Sequence, residues 1–296
     1  MGHPQGFSFS SAGAGQNRGR FASSGKRIEW LVRGVEMIKQ FALAVVVLSS
    51  CVLLAQKEKE VTAPTSAELA AVTARGRMLE EYDVAAASAT DAMVALKPDT
   101  SAAPYFIARK TDKAWEVVFG RLDQKGDKFV IVYRASQGAI PKEFTAKKVD
   151  PPVEDRGFYR AASKAIETAS RDFGRPSRAY NSYVLPAESG QFYVYLLPAQ
   201  TAEGVFPLGG DVRYTIAADG TVVAKRQMHK TIIENKNPLK PGQTLAGRHT
   251  HDLGNGPEDS DVFHVLNRTP SLPEYVGTPD KRVYEIETDG SIKLIQ

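Results

Sequence analysis

Past residue 62 the chain alternates between stretches with helical and with strand spacing of apolar residues. Leu69, Val72, Leu79, Tyr82, Met93 and Leu96 follow an approximate helical repeat, and Thr65 with Glu68 three residues on fits a capping box at its start. Gly76 is a weak point inside this helix, and KPDTSAAP ends it. Three strand-like runs follow, YFIARK (105–110), WEVVFGRL (115–122) and KFVIVYRA (128–135), and DQKGD joins the last two as a hairpin turn. Residues 62–145 therefore read as a small helix-plus-antiparallel-sheet module, with no catalytic spacing in it. The stretch 146–155 holds a Pro-Pro pair and reads as a linker.

Residues 157–173 form a well-patterned helix with Phe158, Ala162, Ala165, Ile166, Ala169 and Phe173 on one face, stopped by Gly174 and Pro176. QFYVYLLPA (191–199), DVRYTIA (211–217) and TVVAKRQMH (221–229) read as strands, the last two around an Asp219-Gly220 turn. A polar loop, ENKNPLKPGQ (234–243), leads into a histidine-bearing stretch, and YVGT, RVYEIE and SIKLI close the chain as strands. The fold class expected is α+β, the second part, 151–296, being built on a mixed sheet.

Charge alters the reading of the N-terminal part. The chain of 296 residues carries a formal +4. Five basic against two acidic residues in 1–36, together with Lys39, account for all of it, so the remainder sums to zero. No basic stripe crosses the body of the chain, which excludes a nucleic-acid partner. Residues 1–36 are Gly/Ser-rich and without periodicity, and read as a disordered or spurious extension ahead of an initiator at Met37. MIKQFALAVVVLSSCVLLAQ (37–56) has the layout of an export signal, with 37–55 the signal peptide, and is too short to span a membrane. Its LSSC resembles a bacterial lipobox, which would make Cys51 the lipidated N-terminus. Cleavage after Ala55 would instead leave a free periplasmic protein. The only membrane association expected is a lipid anchor at Cys51.

RHTHDLGNGPEDSDVFHVL (248–266) holds the candidate chemistry. His249 and His251, two residues apart on a strand, point to the same face and can share a Zn²⁺ ion. Asp261 is the natural third ligand, with Ser260 capping the helix that begins there. Two histidines and one carboxylate leave a coordination position for water, whose pKa the metal lowers. His264 is either a supporting partner of this site or a helix-surface residue. His229 reads as structural or surface, and Asp252, Glu258 and Asp259 as solvated loop charges.

The order strand-HxH, loop, acidic residue at a helix start and closing strands resembles the JAMM (MPN/JAB) metallopeptidases. The resemblance covers 151–296 and implies zinc on His249, His251 and Asp261, with Glu188 of AESGQFYVYLL as general acid/base. It implies hydrolysis of an amide or isopeptide bond in a peptide or cell-envelope substrate. Asp252 stands where that family has proline, and Glu258 where it has serine. PGQTLAGRHTH also resembles a first cupin motif, but no second motif follows. The alternative function is a non-catalytic envelope or periplasmic binding protein, in which the metal site is structural or absent.

Overall fold

The computed structural model describes residues 62–296 apart from 113 and 237–245. The extension 1–36, the signal segment with Cys51 and most of the ENKNPLKPGQ loop lie outside the described residues. Helix α1 (Ser66–Val94) starts as its sequence dictates: Thr65 Oγ1 accepts the Glu68 amide at 3.2 Å, and the Glu68 carboxylate accepts the Thr65 amide at 2.7 Å. Four strands follow, β1 (Tyr105–Lys110), β2 (Trp115–Leu122), β3 (Phe129–Gln137) and β4 (Phe144–Asp155), paired antiparallel in chain order.

β4 replaces the linker expected at 146–155. Its Pro151-Pro152 pair falls in the break of register between Tyr133↔Lys148 and Ile131↔Val153. Prolines there interrupt no regular ladder, and β4 is the sheet's edge strand, where proline is tolerated.

Helix α2 (Phe158–Phe173) buries Tyr159, Ala162, Ala165, Ile166 and Ala169, the face its periodicity predicts. A second antiparallel sheet comprises β5 (Tyr180–Pro186), β6 (Phe192–Pro198), β8 (Val212–Ile216) and β9 (Val222–Gln227), in the order β5-β6-β8-β9. β7 (Val205–Gly209) pairs separately with β10 (Ile232–Lys236). β11 (Gly247–Thr250), helix α3 (Asp259–Asn267), β12 (Glu274–Gly277), β13 (Val283–Ile286) and β14 (Ile292–Leu294) complete the chain. β11 runs parallel to β12 while the other pairs of that sheet are antiparallel, so the last sheet is mixed and the class is α+β.

One hydrophobic core draws Leu79 and Tyr82 from α1, Val117 and Phe129 from the first sheet, Ile166 from α2, and Val194 and Tyr214 from the second sheet. Residues on both sides of β4 share this core. A smaller cluster, Val262, Val265, Val276, Tyr284 and Ile286, lies between α3 and the mixed sheet, with Leu69 and Val72 of α1 packed on it. α1 thus contributes to both clusters and carries α3 along its N-terminal half.

Gly76 sits at that crossing. A Cβ there would stand 2.4 Å from Val262 Cβ and 2.8 Å from the Asp259 carbonyl oxygen. Glycine costs an exposed helix about 1 kcal/mol against alanine, yet Gly76→Ala is expected to destabilise the protein by about 1–3 kcal/mol through overpacking. Urea unfolding measures this. A stabilised variant would mean that α3 does not approach so closely.

Candidate metal centre

Two strand ends and a helix start bring four donors together. In the β8–β9 hairpin Val212 pairs with Gln227, which sets Asp211 and His229 side by side just beyond the ladder. The Gln227 amide fixes both, donating to the Asp211 carbonyl at 2.8 Å and the His229 carbonyl at 2.7 Å. Gly209, at φ +88°, lies so close to the Thr231 carbonyl that a Cβ would sit 2.2 Å from it, which lets the end of β7 pass against this corner.

On β11, His249 faces inward with exposed neighbours on both sides. His251 follows one pleat later on the same side, as the HxH spacing predicts. Gly247 begins the strand because the Glu274 carboxylate, on the paired strand β12, occupies the space a side chain would need: a Cβ would lie 1.7 Å from Glu274 Oε2.

Asp261 stands in the first turn of α3. Its Oδ2 accepts the Glu258 amide at 2.7 Å, which fixes the side chain. Its Oδ1 lies 3.1 Å from His229 Nε2 and 3.2 Å from His249 Nε2 but receives no hydrogen bond. His251 Nε2 is 3.1 Å from Oδ2. The imidazoles also face one another, with Nε2–Nε2 separations of 2.9 Å for His229–His251 and 3.0 Å for His249–His251.

The far side of each ring explains this. His229 Nδ1 meets Asp211 Oδ1 at 2.8 Å, His249 Nδ1 meets Glu274 Oε1 at 3.0 Å, and His251 Nδ1 meets the Gly256 carbonyl at 2.9 Å. All three partners are acceptors, so each Nδ1 carries a proton and each ring, whenever it is neutral, turns its Nε2 lone pair inward. Ring nitrogens anchored in this way to carboxylates and carbonyls are the usual surroundings of metal-ligating histidines.

The four residues are between 0% and 9% exposed, and their donor atoms all lie within 4.8 Å of one another. The group could hold a metal ion. Ligands about 2.0 Å from a tetrahedral ion stand roughly 3.3 Å apart, and the five separations given above, 2.9–3.2 Å, come close to that.

Electrostatics agree. Burial is the largest influence and works against a charged imidazole, but Asp261 together with Asp211 at His229, and with Glu274 at His249, outweighs it. His229 is raised to about 11 and His249 to about 9. Burial likewise opposes ionisation of Asp261, yet the three imidazoles hold it well below the usual carboxylate range. The centre demands positive charge, and protons supply it where a metal does not.

His229 is the member of the group that its sequence marks only as structural or surface, because no other member lies near it in sequence. The one signal was its position at the end of a hairpin strand. Asp211 and Glu274 were missed for the same reason. Ser260 does not cap α3: Glu258 is the N-cap residue, and the Ser260 hydroxyl points at Met228 Sδ, 3.8 Å away. His264 is buried but outside the four. Burial, and then the Arg268 guanidinium, push it down to about 4, and its Nε2 accepts from the Asn235 amide at 3.2 Å.

Glu258 and Asp259 are not solvated. Asp259 is held by Arg75, Arg213 and the Tyr195 hydroxyl, the last at 2.8 Å, and Glu258 by Arg226. Asp252 is exposed, as expected. Glu188 does not join the centre. It lies exposed in a short 3₁₀ turn between β5 and β6, where its carbonyl accepts the Gln191 amide. A glutamate in that turn points to water because the hairpin ends there.

These shifts predict how the metal-free protein responds to pH. A histidine with a raised folded pKa contributes stability in full below its unfolded value near 6.5 and loses it as the pH climbs through the folded value. The metal-free protein should therefore lose melting temperature as the pH rises through about 9 and then about 11. A flat melting profile from pH 7 to 10 would show that the imidazoles carry no such charge. No family model matches the chain, and no curated protein or solved structure matches it, so what the centre does follows from its own chemistry.

Proposed function

We propose that the protein binds one Zn²⁺ at His229, His249, His251 and Asp261, and that the ion fastens the mixed sheet and α3 to the end of the β8–β9 hairpin. The observation that carries this is the convergence of three imidazole lone pairs and the unpartnered Asp261 Oδ1 at one buried point. Imidazole with carboxylate, in a set of four donors, suits zinc. Four protein ligands are the mark of structural zinc, whereas a catalytic ion keeps one position open. Here His229 takes that position. This reading belongs with an exported, non-catalytic protein, and the signal-like segment 37–55 with Cys51 supports the placement outside the cytoplasm.

A zinc-dependent amide or isopeptide hydrolase is the second reading, and one observation favours it. A pocket of about 30 Å³, bordered by His229, His249, Thr231, Thr250 and Asp252, abuts the centre, and a water needs only about 15 Å³. When bound, the ion would supply Lewis acidity there. Glu188 is exposed on its turn, so the proton work assigned to it by the JAMM resemblance would fall to another group.

Metal analysis of the purified protein should find about one zinc per chain, lost in the double variant His249→Ala/His251→Ala. Zinc in thousandfold excess over its dissociation constant should raise stability by about 4 kcal/mol, a melting shift of roughly 10 °C. Asp211→Ala should weaken zinc binding by about 10–100-fold by releasing His229. Absence of zinc after loading would sink both readings. Hydrolysis of a fluorogenic amide or isopeptide substrate, lost with the metal, would replace the structural role by the catalytic one.

A further inference from the structure

A cavity of about 300 Å³ opens between α1, β1, β2, β5, the end of β6, β7 and α3. Its walls are mainly apolar, and Phe106, Phe119, Phe206 and Phe263 put four aromatic rings on them. Phe119 is buried, but the other three keep part of their surface uncovered. Apolar and aromatic walls around a concave space of this size are the usual make-up of a small-molecule site.

Polar groups on these walls are engaged within the protein. The Tyr183 hydroxyl donates to Asp83 Oδ1 at 2.8 Å and the Asn267 amide to Asp83 Oδ2 at 2.9 Å, and Asp83 has a further interaction besides. Asp211 Oδ1 takes the His229 Nδ1 proton at 2.8 Å. The Thr90 hydroxyl donates to the Ala86 carbonyl at 2.7 Å, and the Tyr105 hydroxyl to Glu167 at 3.1 Å. A ligand with a strong polar group would have to break such bonds or bury that group unpaired, and either is costly.

Charge narrows the ligand in the same direction. Among the described residues, the walls carry the carboxylates of Asp83 and Asp211 and no lysine or arginine. An anion would meet two carboxylates there, and a cation would find both already engaged. The volume sets the size: a dry cavity of about 150 Å³ holds a benzene ring, and twice that volume has room for two fused rings. We propose that this cavity binds a neutral two-ring aromatic molecule, held by burial among the phenylalanines and by edge-to-face contact with their rings. His229, His249, His251 and Asp261 do not line it, so its occupancy does not depend on whether the metal centre is structural or catalytic.

Equilibrium dialysis of the full chain against naphthalene, 2-naphthylmethylamine and naphthalene-2-carboxylate tests this directly. The three share the fused rings and differ in charge. Naphthalene should bind saturably at one site. The amine and the carboxylate should each bind at least about tenfold more weakly, since a buried charge without a partner is strongly disfavoured. Ala87→Phe, which fills the cavity from α1, should abolish naphthalene binding while the variant still melts cooperatively. Either charged probe binding as tightly as naphthalene, unchanged naphthalene affinity in a folded Ala87→Phe, or no saturable binding of naphthalene would overturn the proposal. The probe comparison on the unsubstituted protein decides the matter even where the variant fails to fold.

Discussion

The C-terminal part of the molecule depends on the direction in which three imidazole lone pairs point. Asp211, Glu274 and the Gly256 carbonyl each take an Nδ1 proton, which leaves the three Nε2 atoms turned toward Asp261. These anchors come from separate places: the start of β8, the start of β12 and the loop before α3. The centre therefore ties together segments that the hydrogen-bond ladders leave apart, because the mixed sheet shares no ladder with β8 or β9. What joins them is this cluster, the ion pairs of α3 and the small apolar cluster around Val262.

The first turn of α3 concentrates that joining. Glu258, Asp259 and Asp261 are all buried, at a helix N-terminus where negative charge is favoured. Burying three carboxylates is costly unless each finds a partner, and the partners arrive from different elements. Arg75 of α1 and Arg213 of β8 hold Asp259, Arg226 of β9 holds Glu258, and the histidines hold Asp261. The side chain at 261 is thereby held from both directions along its helix. The close approach of α1 at Gly76 is part of the same arrangement, since it is what brings Arg75 within 2.9 Å of Asp259.

The sequence made legible those features that rest on local periodicity. The Thr65 box, the first three strands, the face of α2 and the hairpin turns all followed from spacing and turn chemistry. β4 did not, because an edge strand that accommodates two prolines at a register break has no local pattern to show. Within the site, His249 and His251 were legible because both lie on one strand, and Asp261 because it starts a helix. His229 was not: the Asp219-Gly220 turn foretells the β8–β9 hairpin, but nothing local shows that the far end of β9 meets β11, twenty residues on. Glu258 and Asp259 were misread for a related reason. An acidic run looks like a solvated loop until arginines from α1, β8 and β9 are known to converge on it.

A cluster of this kind can be neutralised in two ways, and they are not equivalent. Protons can do it, but a proton between two nitrogens serves one pair at a time. His229, His249 and His251 present three inward lone pairs, with Asp261 Oδ1 as a fourth acceptor. Two protonated Nε2 atoms only 2.9–3.0 Å apart would set hydrogen against hydrogen. A single dication satisfies all four donors at once and balances the two carboxylates, Asp211 and Asp261, that flank the imidazoles. Glu274 needs no share of that charge, because Arg268 lies 3.0 Å from its other oxygen. A charge of +2 at one point satisfies these surroundings more completely than protons on separate rings, which is the physical ground on which the group could hold a metal ion.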